Sequence, residues 1–417
     1  MCIRDRDVTM QKTEKASSKK YVFPFEEGDG KNKQLLGGKG SNLCEMTQIG
    51  LNVPPGFVIS TEACLDFLES EDHSLLSGLM EDIKNQIHLL EKKSGKIFGD
   101  DVNPLLVSVR SGSAMSMPGM MDTILNLGLN NKTLAGLINQ TGNERFCYDA
   151  YRRFIQLFGK VALGVPEEKF DLEFEAVKLQ AGVKVDIGLN ANNLQEISNR
   201  FLKVVHTHTG REFPENVFEQ LEIAVKAVFN SWMGKRAIDY RREFKITPEM
   251  ANGTAVNVMA MVFGNMGNDC ATGVGFTRDP GTGENVMFGE YLVNAQGEDV
   301  VAGIRTPKAV ALLEQEMPVQ YKQLEELRQK LENHYKDCLL YTSDAADERS
   351  SVDLGGRRII KKKKRKKQKK IKKKTRNKKK KKHDSILTQE QSDDSQLRII
   401  IEESTQKREQ KTELRKT

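Results

Sequence analysis

Residues 105–123 read LLVSVRSGSAMSMPGMMDT. LLVSVR is an apolar run of strand length ending on one arginine, Arg110. A guanidinium at the end of a buried strand is costly unless it is paired, and no acid lies nearby in sequence. The next four residues, Ser111 to Ala114, are small and leave the backbone exposed. Pro118-Gly119 makes a turn, and Met115, Met117, Met120 and Met121 give that turn an adaptable apolar side. Two readings stand. Either Arg110 pairs with a distant carboxylate beneath a packed methionine loop, or its planar fork takes a phosphate.

A second stretch tips the balance toward phosphate. QLLGGKGSNLCEMTQIG (34–50) places Gly37, Gly38 and Gly40 around Lys39, ahead of an apolar pattern of helical spacing at Leu43, Met46 and Ile49. Glycines let backbone N–H groups approach an anion, a helix N-terminus adds partial positive charge, and a lysine adds a point charge. Glycine turns before helices also occur with no ligand, and this one is not the G-x-x-x-x-G-K-[ST] loop. Two further stretches matter. GEYLVNAQGEDVVAG (289–303) carries Glu290, Gln296, Glu298 and Asp299; carboxylates beside phosphates hold Mg²⁺ or a ribose hydroxyl, or else line a polar hairpin edge. AVNVMAMVFG (255–264) is an apolar strand running into glycine, whose backbone could clamp a flat base or simply fill a core.

The coarse pattern is α+β. VPPGFVIS (53–60) reads as a turn into a strand, 61–70 and 76–92 as helices, and 131–240 as mostly helical. ATGVGFTRDPGTGENVMFGEYLV reads as a hairpin turning at 281–283, and 307–334 as a last amphipathic helix.

Bulk properties set limits. The chain has 417 residues, 38% of them hydrophobic, and one tryptophan. That length allows two or three domains, and no run approaches the roughly 20 apolar residues of a membrane span. The first 20 residues are polar and basic, without the apolar stretch of a secretory signal; the cytoplasm or an organelle such as a plastid is the expected location. Six cysteines lie scattered without C-x-x-C pairs, which fits reduced, buried thiols. His206 and His208 are the only close histidine pair and read as helix-surface residues rather than metal ligands. The net charge of +7 conceals an asymmetry: 357–382 holds 20 Lys/Arg and no acid, leaving 7 − 20 = −13 for the rest. Residues 1–20 and 338–417 read as low-complexity and disordered. The lysine run is sticky to any polyanion but lacks interleaved aromatics, so only non-specific nucleic-acid binding is expected of it.

The motifs resemble a known family. LLGGKGSNLCEM, PPGFVISTEAC, LLVSVRSG, SMPGMMDTILNLGLN, RFCYDAYRRFIQLFG, AVKAVFNSW, GTAVNVMAMVFGN, ATGVGFTRDPGTGE and GEYLVNAQGEDVVAGIRTP are similar to the nucleotide-binding N-terminal domain of the pyruvate, phosphate dikinases, over roughly 21–337. The related phosphoenolpyruvate synthases carry a different loop where SMPGMMDT stands. The resemblance implies an ATP-grasp-like fold with a helical insertion at about 131–215. ATP would lie between two subdomains, one holding the glycine loop and arginine strand, the other the strands around 255–305. It implies ATP and Mg²⁺ as ligands, and interconversion of ATP, phosphate and pyruvate with AMP, pyrophosphate and phosphoenolpyruvate through a phosphohistidine on a separate domain. By residue-wise matching, Lys39 and Arg110 resemble the triphosphate-binding, catalytic pair, with Gly37, Gly38 and Gly40 around the lysine. The loop at Gly119 resembles the phosphate cover, Met261, Val262 and Phe263 the adenine clamp, and Gln296 and Glu298 part of the nucleotide site.

The resemblance ends near LENHYKD (331–337). Family members continue with an Asp-x-Glu-Phe pair and a strand ending Leu-Gln-Thr-Arg, where this chain reads CLLYTSDAADERSS. MCIRDR and LLYTSDAADE resemble translated adapter sequence, and the lysine run resembles translated A-rich nucleotide. The reading therefore expects a truncated domain with foreign ends, unable to turn over. The alternatives are a related dikinase such as a phosphoenolpyruvate synthase or glucan, water dikinase, a genuine divergent tail, or a non-catalytic polyanion binder.

Overall fold

The computed structural model describes residues 19–117, 119–301 and 305–336. Most of its mass is built on one five-stranded antiparallel sheet. Its strands are β1 (Val22–Pro24), β2 (Gly56–Ile59), β5 (Val107–Gly112), β6 (Thr123–Leu127) and β7 (Ala255–Ala260), in the order β1-β2-β7-β5-β6. A two-stranded parallel pair, β3 (Ile97–Phe98) with β4 (Pro104–Leu105), lies beside it. A second antiparallel sheet contains β8 (Ala271–Phe276), β9 (Phe288–Val293) and β10 (Lys308–Ala309), in the order β10-β9-β8.

The helices are α1 (Lys33–Gln48), α2 (Thr61–Glu69), α3 (Leu79–Ser94), α4 (Asn131–Thr141), α5 (Glu144–Ala162), α6 (Glu167–Gln180), α7 (Ala191–Thr209), α8 (Val217–Ser231), α9 (Lys235–Glu243), α10 (Gly297–Val301), α11 (Leu313–Glu316) and α12 (Pro318–Tyr335). Short polar caps start many of them. Asn130 and Asn190 each form a reciprocal capping box, and Asn143 and Asn216 accept from first-turn N–H groups. Gly95, Gly142 and Gly210 end α3, α4 and α7 in the left-handed conformation that lacks a Cβ penalty.

Strand alternation sorts the main sheet into two faces. Phe57, Ile59, Val107, Val109, Val256 and Val258 join the large core with α2, α3, α5 and α8. The opposite face carries Val58 and Ala255, which pack with Phe25, Leu36 and Cys44 under α1. With both faces covered, LLVSVR and AVNVMA read as nearly continuous apolar runs.

Four expectations change. β5 runs two residues past Arg110, so the arginine lies within the strand. The strand at 255–260 belongs to the centre of the first sheet, between β2 and β5, so only 271–309 forms the second sheet. The glycine turn does not simply open a helix: a helical turn precedes it from Lys33, and Gly37 breaks the run at φ 69 and ψ 165 before the helix resumes. Finally, 307–334 is not one helix. A strand and two short turns come first, and Pro318 opens α12, where a missing N–H costs nothing. As the helical reading of 131–240 expects, α8 follows α7, and it packs on β5, β6 and β7.

Candidate functional site

The α1 face of the main sheet changes character along β5. Apolar contacts under α1 give way to polar positions on the same face at Ser108, Arg110 and Gly112, and at Asn257, which sits opposite Arg110. The kink at Gly37 lets the backbone of α1 settle directly onto this edge. The Gly38 N–H donates to the Ser113 carbonyl at 2.8 Å. A Cβ at Gly37 would collide with the Gly112 carbonyl oxygen, and one at Gly40 would come within 2.8 Å of Asn257 Oδ1. These two glycines are required by close approach, and Gly37 also by its positive φ.

The same packing seats Lys39 beside the strand that carries Arg110. A Cβ placed on Gly112 would lie 3.4 Å from the Lys39 Cβ. Arg110 is two residues before Gly112 and so shares its face. Lys39 is exposed and Arg110 half-buried. Asn257 ties the strands together by donating from Nδ2 to the Arg110 carbonyl at 3.4 Å. Two buried acceptors beside them, Ser113 Oγ and Asn257 Oδ1, have no hydrogen-bond partner among the described residues. Buried polar atoms are normally satisfied; the Ser113 hydroxyl can donate as well as accept, whereas Asn257 Oδ1 only accepts.

The methionine loop begins here. Met117 is buried in the main core, and Met115, Met120 and Met121 pack against it. Gly119 is exposed with φ 64. Arg236 on α9 donates to the Gly119 carbonyl at 3.2 Å and to Asp122 at 3.1 Å. The loop is therefore anchored on its apolar side by the core and on its outer side by a guanidinium.

At the other end of β5, the chain leaves β7 through Met261, Val262 and Phe263. Met261 and Phe263 are buried, and Val262 is half-exposed. The Met261 N–H donates to the Leu106 carbonyl at 2.8 Å, and Phe263 meets Phe146 edge-on at 5.1 Å. The three residues form the passage between the two sheets, a position the strand reading did not predict. Gly264 is pressed against Thr272 and the Ala295 carbonyl, with the Ala295 N–H donating to it at 3.0 Å. From Val107, opposite Ala260, to Arg110 is three residues, about 10 Å at the usual strand rise.

Gln296 follows β9. It is buried, donates from Nε2 to Asn126 Oδ1 at 3.3 Å, and leaves Oε1 without a partner among the described residues. Asp299 accepts from the Gln296 N–H at 3.0 Å and pairs with Arg153 at 3.0 Å. Arg153 also binds Asp149, which Arg152 holds from its other side. Burial alone would raise the Asp149 pKa, but the two guanidiniums hold it well below the usual carboxylate range. The Glu298 side chain lies outside the described residues, as do Pro118, the lysine run, Cys2 and Cys338.

Sequence reasoning missed Asn257, Arg236, Arg153 and Asn126. Asn257 had a signal, an amide in the middle of AVNVMA, where a polar side chain needs a reason. Arg236 had none, because exposed basic residues on a helix are ordinary. Among the described residues no group of three His, Cys, Asp or Glu could hold a metal ion. His206 and His208 are exposed at the end of α7, as expected. Cys44, Cys64, Cys147 and Cys270 are buried thiols that form no disulfide.

A family model of the pyruvate phosphate dikinase AMP/ATP-binding domain matches residues 33–80 and 73–413. The chain belongs to this family. Among curated relatives, a pyruvate, phosphate dikinase of Entamoeba histolytica is 60% identical over 318 residues, 76% of this chain and 36% of that protein. One of Clostridium symbiosum is 50% identical over 319 residues, 76% and 36% of the two chains. A chloroplastic one of Mesembryanthemum crystallinum is 50% identical over 324 residues, 77% and 34%. The chain thus spans about a third of the length of the curated dikinases it matches. The family model extends beyond 337, where the motif resemblance ends, into residues that are not described. Among the described residues no helix is long and apolar enough to cross a membrane.

Proposed function

We propose that this chain is the ATP-binding, phosphoryl-transfer part of a pyruvate, phosphate dikinase. The whole enzyme would interconvert ATP, phosphate and pyruvate with AMP, pyrophosphate and phosphoenolpyruvate through a phosphohistidine carried on another domain. The observation that carries this reading is the seating of the kinked glycine turn on the Gly112 edge of β5, with Lys39 and Arg110 on one face. ATP would lie along that face. Its phosphates would meet Lys39, Arg110 and the backbone of Gly37, Gly38 and Gly40. The Gly119 loop would cover them and exclude water, which strengthens every charge interaction inside. The base would sit by Met261, Val262 and Phe263. Met261's own N–H is already engaged by the Leu106 carbonyl. Gln296 Oε1 and Glu298 would reach the nucleotide from the second sheet's side, in the manner of an ATP-grasp fold.

Phosphoryl transfer rests largely on positioning and charge neutralisation. Mg²⁺ supplies part of that neutralisation when it arrives on the nucleotide's phosphates. The described residues do not fit a protein-held Mg²⁺ cage, since Asp299 is occupied by Arg153 and no acidic cluster forms. What these residues do is bind and orient. The compartment we infer is the cytoplasm or a plastid.

The test is isothermal calorimetry with MgATP and with adenosine. Arg110→Ala should weaken MgATP by about 10- to 100-fold, the loss of one charge-assisted contact of about 1.5–3 kcal/mol, and leave adenosine unchanged. Equal affinity of wild type and Arg110→Ala for MgATP would refute the assignment.

A further inference from the structure

Away from the nucleotide face, α6 and α7 pack antiparallel, joined by the Phe170–Phe201 edge contact at 5.0 Å. Above that aromatic pair lies a groove of about 360 Å³. That volume is at the small end of ligand pockets. It is separated from the main sheet by α5, which packs on β6 while α7 packs on α5. We propose that this groove is a second anion site, made for a small phosphate-bearing molecule.

The charge pattern is the argument. Lys169 on α6 and Lys203 on α7 face the groove from opposite walls. Their ammonium groups have no hydrogen bond or ion pair among the described residues. Between them Thr207 offers a hydroxyl and His208 a ring nitrogen, and Val204 supplies an apolar floor. The single acid in the lining, Glu173, is neutralised by Arg200 at 3.2 Å. Arg200 is itself fixed by Glu196 at 2.6 Å and Gln180 at 3.0 Å. Two ammonium groups converging on one concavity suit the several oxygens of a phosphate, and a concave basic wall concentrates such ions.

The ends of the groove limit its occupant. Glu167 and Glu168 precede Lys169, and Glu196 lies beyond Arg200. A nucleic-acid strand needs a basic track longer than two lysines, so the groove suits a compact ligand. A chain that is acidic outside its lysine run has little reason to gather bare cations here by default.

The test is hydrogen exchange of the full chain with inorganic pyrophosphate as probe. Its peptide resolution separates the groove from the lysine run and from the Lys39–Arg110 edge. Pyrophosphate should slow exchange in 169–173 and 203–208, with an apparent affinity at least tenfold weaker in a Lys169→Ala/Lys203→Ala variant. Protection there should persist in Arg110→Ala, whose loss is confined to peptides at 37–40 and 110–119. No protection at 169–173 and 203–208, or the same protection in the double variant, would overturn the proposal.

Discussion

The two sheets of this chain are built on different principles. The five-stranded sheet is covered on both faces and feeds a core running from Val22 to Phe263, with seven fully buried phenylalanines in α2, α5, α6, α7 and α8 alone. The three-stranded sheet has a core of six buried residues, Ala271, Met287, Tyr291, Val310, Leu313 and Leu324. It is tied to the larger body mainly by polar contacts: Gln296 to Asn126, Asp299 to Arg153, Asn143 to the Met266 carbonyl, and His334 to Glu45. Many buried contacts make a region open only with the whole fold, and few make it open locally. The lesson is a division of labour: the inferred phosphate edge belongs to the large core, and Gln296 and Asp299 follow β9 in the smaller one.

The largest expected effect breaks the stiff side. Phe158→Ala, at a fully buried ring between Phe154 and Phe213, should cost about 3–5 kcal/mol of global stability in urea unfolding. Leu324→Ala, in the small core, should instead raise hydrogen exchange within 271–335 and leave 105–127 unchanged. Equal acceleration in both regions would erase the distinction.

Next comes the kink. Gly37→Ala must push a methyl against the Gly112 carbonyl at a positive φ. It should destabilise by about 1–3 kcal/mol and abolish measurable MgATP binding. Unchanged binding would mean that the glycine turn and β5 need not touch for the site to form.

The ion-pair network that joins α5 to Asp299 can be probed through pH. Asp149, with its carboxyl held low by Arg152 and Arg153, contributes stability above the ordinary carboxylate pKa near 4. That contribution is lost as pH falls below about 4 toward its folded value. Asp149→Asn should cost about 3–5 kcal/mol at pH 7, since it leaves the buried Arg152 guanidinium without its carboxylate partner. It should also flatten the stability profile between pH 4 and 2. A variant with the wild-type acid slope would show that the network does not carry it.

How much of this was legible in the sequence depends on the reach of each contact. Arg110 and the glycine turn were readable because their local chemistry is odd: a charge in an apolar strand, three glycines around a lysine. The place of β7 was not. AVNVMA fits the centre of either sheet, and only long-range pairing with Gly56–Ile59 and Val107–Gly112 decides between them. The Arg153 bridge was equally hidden, since its partners Asp149 and Asp299 come from different bodies.

The smallest effect concerns the cysteines. Burial pushes the thiols of Cys44 and Cys64 up to about 12 and that of Cys147 to about 11. At pH 8 these three should ignore Ellman's reagent in the native chain and react only on unfolding. Rapid native labelling of any of them would mean that the core opens more readily than its packing implies.

The central claim is that an early glycine-flanked lysine and a strand arginine some seventy residues later serve one phosphate group. A double-mutant cycle on MgATP affinity, with Lys39→Ala, Arg110→Ala and the pair, tests it most directly. The account predicts that the two losses interact by about 0.5–3 kcal/mol, as residues sharing one ligand group do. Strictly additive losses, or no loss from either change, would contradict it.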